Sequence, residues 1–167
     1  MKNLKQIGKG SFSTVYKVND NKVLIKSNDY AKECMAQGWG FDSNLFPKVK
    51  FEDNGFYSMK FYPKCTAPKQ QLNEKSYNRY LLLKGLFSCA YIKNKYDGLD
   101  YWYKTFKAIK NDNTLKNALI SAIEGLSNYG SDIGFEISPR NISFTEKGNL
   151  ILLDCFYFKT QLEQTRK

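Results

Sequence analysis

The stretch Glu136-Ile137-Ser138-Pro139-Arg140-Asn141, followed by the apolar run Leu150-Ile151-Leu152-Leu153 and then Asp154, decides how this chain is read. Glu136 is followed five positions later by an asparagine, and that asparagine thirteen positions later by an aspartate. Between them, Asn141-Ile142-Ser143-Phe144 and Leu150–Leu153 read as two strands turned at Glu146-Lys147-Gly148-Asn149. Asn141 offers an amide oxygen and Asp154 a carboxylate, both hard ligands suited to Mg²⁺. Neither would hold the ion tightly alone, so the phosphates of a nucleotide would have to complete the shell.

A second informative piece lies near the other end, at Ile7-Gly8-Lys9-Gly10-Ser11-Phe12-Ser13-Thr14-Val15-Tyr16. It reads as a hairpin whose glycines leave the backbone bare, so that amide groups can approach phosphate oxygens. Phe12 at the tip would shield those phosphates, and Val15 would lie over a nucleotide base. Ser11 and Ser13 keep the tip small. Lys22-Val23-Leu24-Ile25-Lys26 reads as a buried strand ending on a lysine, which calls for an anionic partner because an unpaired buried ammonium is costly.

Together these pieces resemble the protein-kinase-like superfamily. Gly134-Phe135-Glu136 through Asn141 is similar to its catalytic loop (His-Arg-Asp, four residues, Asn), with Asp154 at the place of its metal-binding aspartate. The resemblance implies ATP and Mg²⁺ as cofactors. Gly8, Gly10, Ser11, Phe12 and Val15 would cover the nucleotide, and Lys26 would contact its phosphates while paired with Glu33, or more distantly Glu52. Asn141 and Asp154 would hold the metal, and Glu136 would orient the acceptor hydroxyl. Several features depart from the pattern. Glutamate replaces the catalytic aspartate, Gly134 and Phe135 replace His-Arg, and Leu24 stands where alanine is frequent. Cys155-Phe156 follows Asp154 in place of Phe-Gly, and the activation segment with its Ala-Pro-Glu anchor is missing. The layout is closest to the small serine/threonine kinases of bacteriophages, which act on host proteins of transcription and RNA turnover.

The remaining sequence bounds these expectations. At 167 residues with 42% hydrophobic and 16% aromatic content, the chain is long enough for a real core. Cys34, Cys65, Cys89 and Cys155 show no metal-ligand spacing and histidine is absent, which argues against a zinc site. Scattered thiols and no signal-peptide pattern fit a cytoplasmic protein, in host cytoplasm if viral. No run approaches a membrane span. A net charge of +10 favours an acidic or nucleic-acid-associated partner protein. Only three arginines (Arg79, Arg140, Arg166) disfavour specific base readout.

Along the chain, hairpins are expected at 4–18 and at 47–61 around Asn54-Gly55, with a helix at 29–37 capped by Ser27 or Asn28 and ended by Gly38-Trp39-Gly40. Pro63 to Pro68 is a linker. Helices are expected at 72–92 (one long or two short), 100–109 and 114–129 with Thr114 as cap, then an irregular 131–141, the hairpin 142–154 and a charged tail. The fold class is therefore α+β, a minimal two-lobed kinase-like fold. Its β-rich lobe is 1–63 and its truncated helical lobe 64–167, with the nucleotide between them. Two other functions fit the same residues. One is a pseudokinase that binds and inhibits a host protein. The other is a nucleic-acid binder using the aromatic–lysine runs Tyr91–Tyr96 and Tyr101–Lys104. An antibiotic-modifying kinase is disfavoured, since a protein of charge +10 would repel cationic substrates.

Overall fold

A computed structural model describes residues 4–92 and 98–165. Residues 93–96 of the aromatic–lysine run and 166–167 of the charged tail lie outside the described residues. The chain opens with β1 (Lys5–Lys9), β2 (Ser13–Lys17) and β3 (Lys22–Ser27), then α1 (Tyr30–Gln37), β4 (Lys50–Asp53) and β5 (Phe56–Lys60). These five strands form one antiparallel sheet in the order β1-β2-β3-β5-β4. The tip between β1 and β2 closes on a hydrogen bond from the Gly10 amide to the Ser13 carbonyl at 2.8 Å. The turn between β4 and β5 puts Asn54 and Gly55 at positive φ, as its Asn-Gly pair requires.

Helix α1 is short and sharply bounded. Asp29, not Ser27 or Asn28, is its N-cap, its carboxylate accepting from the Ala31 amide at 2.9 Å. Ser27 acts one step earlier, accepting from the Asp29 amide at 3.1 Å. Gly38 ends the helix in the left-handed region, and its amide returns to the last turn.

The second half begins with α2 (Pro68–Gln71), α3 (Glu74–Ile92), α4 (Leu99–Lys107) and α5 (Asn113–Leu126). The expected helix 72–92 is thus one continuous α3, preceded by a single short turn. Helix α5 is capped by Asp112 rather than Thr114, and the same carboxylate takes a bidentate pair from Arg79 of α3 at 2.5 and 2.8 Å. That guanidinium holds the Asp112 carboxyl below the usual carboxylate range. A carboxylate serves two helices here because a cap and an arginine fork use different lone pairs.

Then come β6 (Ile133–Phe135), β7 (Ile142–Phe144), β8 (Leu150–Leu152), β9 (Phe156–Phe158) and α6 (Lys159–Gln164). β7 pairs with β8 as read from the sequence. β6 and β9 were not expected. They pair with each other across the loop and hairpin that separate them in the chain, which local periodicity of three-residue strands does not reveal. The expected tail is in fact β9 and α6, tied back by Thr160, whose amide and hydroxyl both donate to Asp132.

The core is continuous through both halves and strongly aromatic. Phe135 is fully buried between Trp102, Phe106 and Phe156, with ring centroids 5.1 to 5.2 Å apart. The loop after α1 meets α5 so closely that a Cβ on Gly125 would lie 2.1 Å from the Trp39 carbonyl oxygen. Helix propensity alone makes Gly125→Ala a gain of roughly 1 kcal/mol. The contact reverses that sign, and urea unfolding is expected to show a loss of about 2 kcal/mol. An unchanged or higher midpoint would refute the close approach.

Candidate functional site

The hairpin tip and the loop from Glu136 to Asn141 face each other across a cleft of about 1190 Å³. One wall carries Gly8, Gly10, Ser11, Phe12 and Val15, and the other carries Glu136, Asn141 and Asp154. These residues are far apart in sequence, and the fold brings them to one cavity. Tyr62, Phe87 and Tyr91 add an aromatic side. Lys9, Lys64, Arg140 and Lys159 add positive charge.

The loop from Glu136 to Asn141 is held from both ends. The Glu136 amide donates to the Cys155 carbonyl at 2.8 Å, and the Asn141 amide to the Ser138 carbonyl at 3.0 Å. The Asn141 carbonyl then accepts from the Leu153 amide at 2.8 Å, the Asp154 amide at 3.4 Å and the Cys155 thiol at 3.3 Å. One peptide oxygen thus fixes Asn141 beside Asp154. Burial pushes the Cys155 thiol well above its usual range, so it stays a neutral donor. The α3 N-terminus grips the turn of the hairpin: the Asn73 amide donates to the Gly148 carbonyl at 2.9 Å and the Leu150 amide to the Ser76 hydroxyl at 3.0 Å. Gly148 sits at φ +70, and a Cβ there would be 2.7 Å from the Asn73 nitrogen. Gly134 is bare for another reason. The Tyr157 ring covers it, with ring atoms 2.2 Å from where a Cβ would be.

Lys26 and Glu33 are placed otherwise than expected. Cross-strand partners share a face of a sheet. Ser13 faces Ser27 and Val15 faces Ile25, so these four share the cleft face, whereas Thr14, Lys26 and Phe56 share the opposite one. The Ser13 and Ser27 hydroxyls touch at 2.7 Å on the inner face. Lys26 is exposed, with its Nζ 5.8 Å from the Phe56 ring centroid. Glu33 turns to the Tyr129 hydroxyl, which burial first and this carboxylate second push up to about 12.

The lysine that reaches Asp154 is Lys32 of α1. Its side chain is 4% exposed, and its Nζ donates to the Asp154 carboxylate at 3.2 Å and the Leu153 carbonyl at 2.9 Å. Burial opposes its charge, but Asp154 and Asp29 outweigh burial and hold the ammonium above the usual lysine range. A sequence signal existed: Lys32 lies three residues before Met35, inside the apolar stripe of Ala31, Cys34 and Met35 that α1 buries.

The donor set fits Mg²⁺ with a nucleotide. Asn141 and Asp154 could supply two protein oxygens on one wall, and Gly8 and Gly10 keep the other wall free of side chains, the Gly10 amide itself being given to the Ser13 carbonyl. Among the described residues no group of three or more acidic, cysteine or histidine side chains could hold a metal by itself. No described helix is long and apolar enough to cross a membrane.

No family model matches this chain, and no curated protein matches it. Among solved structures it is similar to the streptomycin–ATP–APH(2″)-IIa ternary complex. That overlay has 12% identity and a TM-score of 0.40, covering 96% of this chain and 69% of the other.

Asp29 generates a pH test. Burial, and then the Asp154 charge, push its carboxyl from 3.8 to about 7, against Lys32 and the Ala31 amide. The folded chain keeps this proton where the unfolded chain has released it, so Asp29 makes stability fall as pH rises from about 4 to about 7. Asn can still cap α1 but cannot titrate. Urea midpoints between pH 4 and pH 7 are therefore expected to fall less steeply in Asp29→Asn than in the wild type. Parallel profiles would show that Asp29 keeps an ordinary carboxyl.

Proposed function

We propose that this protein is an ATP- and Mg²⁺-dependent phosphotransferase of the kinase-like type, acting on a Ser or Thr hydroxyl of a partner protein. The observation that carries the proposal is the shared cleft, with the glycine hairpin on one wall and Glu136, Asn141 and Asp154 on the other. Bound Mg²⁺ would neutralise charge on the transferring phosphoryl group. The chain's own residues do the rest. Gly8 and Gly10 leave room for phosphate oxygens to approach the hairpin backbone, and Phe12 and Val15 exclude water from them. Asn141 and Asp154 offer oxygens to the metal. Glu136, exposed on the cleft wall and anchored through its backbone amide, orients the acceptor hydroxyl and takes its proton.

The surface supports an acidic acceptor. The net charge is +10, and Lys9, Lys64 and Arg140 stand on the cleft wall itself. That charge disfavours a cationic small molecule. A host protein of transcription or RNA turnover, in the cytoplasm of an infected cell, is the partner we infer.

One observation favours a second reading. Lys26 faces away from the cleft and Glu136 stands where an aspartate is usual, as in a pseudokinase that binds a partner without transfer. The two readings separate on labelled ATP. The wild type is expected to transfer γ-phosphate to a host lysate or to itself, and Asp154→Ala to abolish it. Mg²⁺–ATP at a hundredfold excess over its dissociation constant is expected to stabilise the wild type by about 2.7 kcal/mol. No stabilisation and no label would leave only the binding reading.

A further inference from the structure

Lys32 is in a position that local preferences oppose at every level. It is the third residue of α1, where the helix dipole repels a cation. It is 3% exposed, where an ammonium loses its hydration. It interrupts the apolar stripe that α1 packs into the molecule. The compensation comes from two tertiary partners, the Asp154 carboxylate at 3.2 Å and the Leu153 carbonyl at 2.9 Å, and from the neighbouring helix cap Asp29.

The three ammonium hydrogens are also spoken for. Two go to Asp154 and Leu153, and the third points to the Met35 sulfur at 4.0 Å. Lys32 is absent from the cleft wall, whereas Asp154, 45% exposed, stands on it. Whatever Lys32 does for a ligand, it does through Asp154.

Resting on the phosphotransferase reading, we propose that Lys32 is the positioning residue of the metal site. It grips a backbone carbonyl and the adjacent carboxylate together, fixing where the Asp154 side chain sits and which way it turns. Asp29 seats it by capping the helix turn that carries it. Lys26, on the far side of the sheet, takes no part. The site's buried cation thus comes from the helix after the strand rather than from the strand. This division of labour follows from parity: residue 27, not 26, faces the cleft, and Ser27 is committed to Ser13 and to the Phe12 carbonyl.

The experiment measures the affinity of a non-hydrolysable ATP analogue with Mg²⁺ and with EDTA, in wild type, Lys32→Met, Lys32→Arg, Lys26→Met and Asp154→Ala. Partners that orient a metal ligand typically contribute about 10- to 100-fold to metal affinity. Lys32→Met is therefore expected to lose at least about tenfold of the Mg²⁺-dependent gain, with its affinity in EDTA nearly unchanged. Lys32→Arg is expected to recover part of that gain, and Lys26→Met to match the wild type. A Lys32→Met protein that keeps the full Mg²⁺ gain while Asp154→Ala loses it overturns this inference alone. So does a tenfold loss in Lys26→Met, an exposed change that decides the matter even if Lys32→Met fails to fold. A wild type that binds no nucleotide overturns the phosphotransferase reading and this inference with it.

Discussion

A single ammonium group, almost wholly withdrawn from water, joins the two halves of this molecule. Lys32 stands on the helix that follows the N-terminal strands, and both its oxygen partners belong to the segment after β8. Removing Asp154 would leave the Lys32 ammonium buried and unmatched, which is costly, whereas Asp154 is 45% exposed and would keep much of its hydration without Lys32. The helix that carries it also touches β4, β9 and α5. Helix α1 and this ion pair thus tie the strands of the first half to the segment that carries Asp154.

The opposite wall depends on backbone groups more than on side chains. The Asn141 carbonyl collects three donors from residues 153 to 155, so Asn141 and Asp154 cannot drift apart without breaking several bonds. The α3 N-terminus locks the far turn of the same hairpin, and the Phe135 ring anchors the preceding strand in the aromatic core. Groups meant to meet a ligand are thus mounted on elements whose own positions are overdetermined. Two positions just before the Glu136–Asn141 loop suit this packing. Phe135 packs into the aromatic core, and Gly134 makes room for Tyr157.

Much of this was legible from the chain. The β-hairpins, the helices and the turn at Asn54-Gly55 follow from period-two and period-3.6 patterns, which are local. The cleft-lining Gly8, Gly10, Glu136, Asn141 and Asp154 were legible because loops with special backbone needs carry recognisable residues. Cap identities were missed by one or two positions at Asp29 and Asp112, since several capping residues adjoin each helix start. β9 and α6 were missed because their support is distant: β6 for the strand and Asp132 for the helix.

The amino-acid order alone determined an α+β chain with a bare-backbone hairpin early and a carboxylate–amide–carboxylate spacing late. It determined this because turns, glycines and periodicities act over a few residues. Which lysine serves the cleft was settled only by the folded sheet. In a strand, adjacent side chains point to opposite faces, so the registers that pair Ser13 with Ser27 and Lys26 with Phe56 send Lys26 outward. The inward charge then comes from Lys32, whose partners lie more than a hundred residues away, beyond the reach of any local pattern.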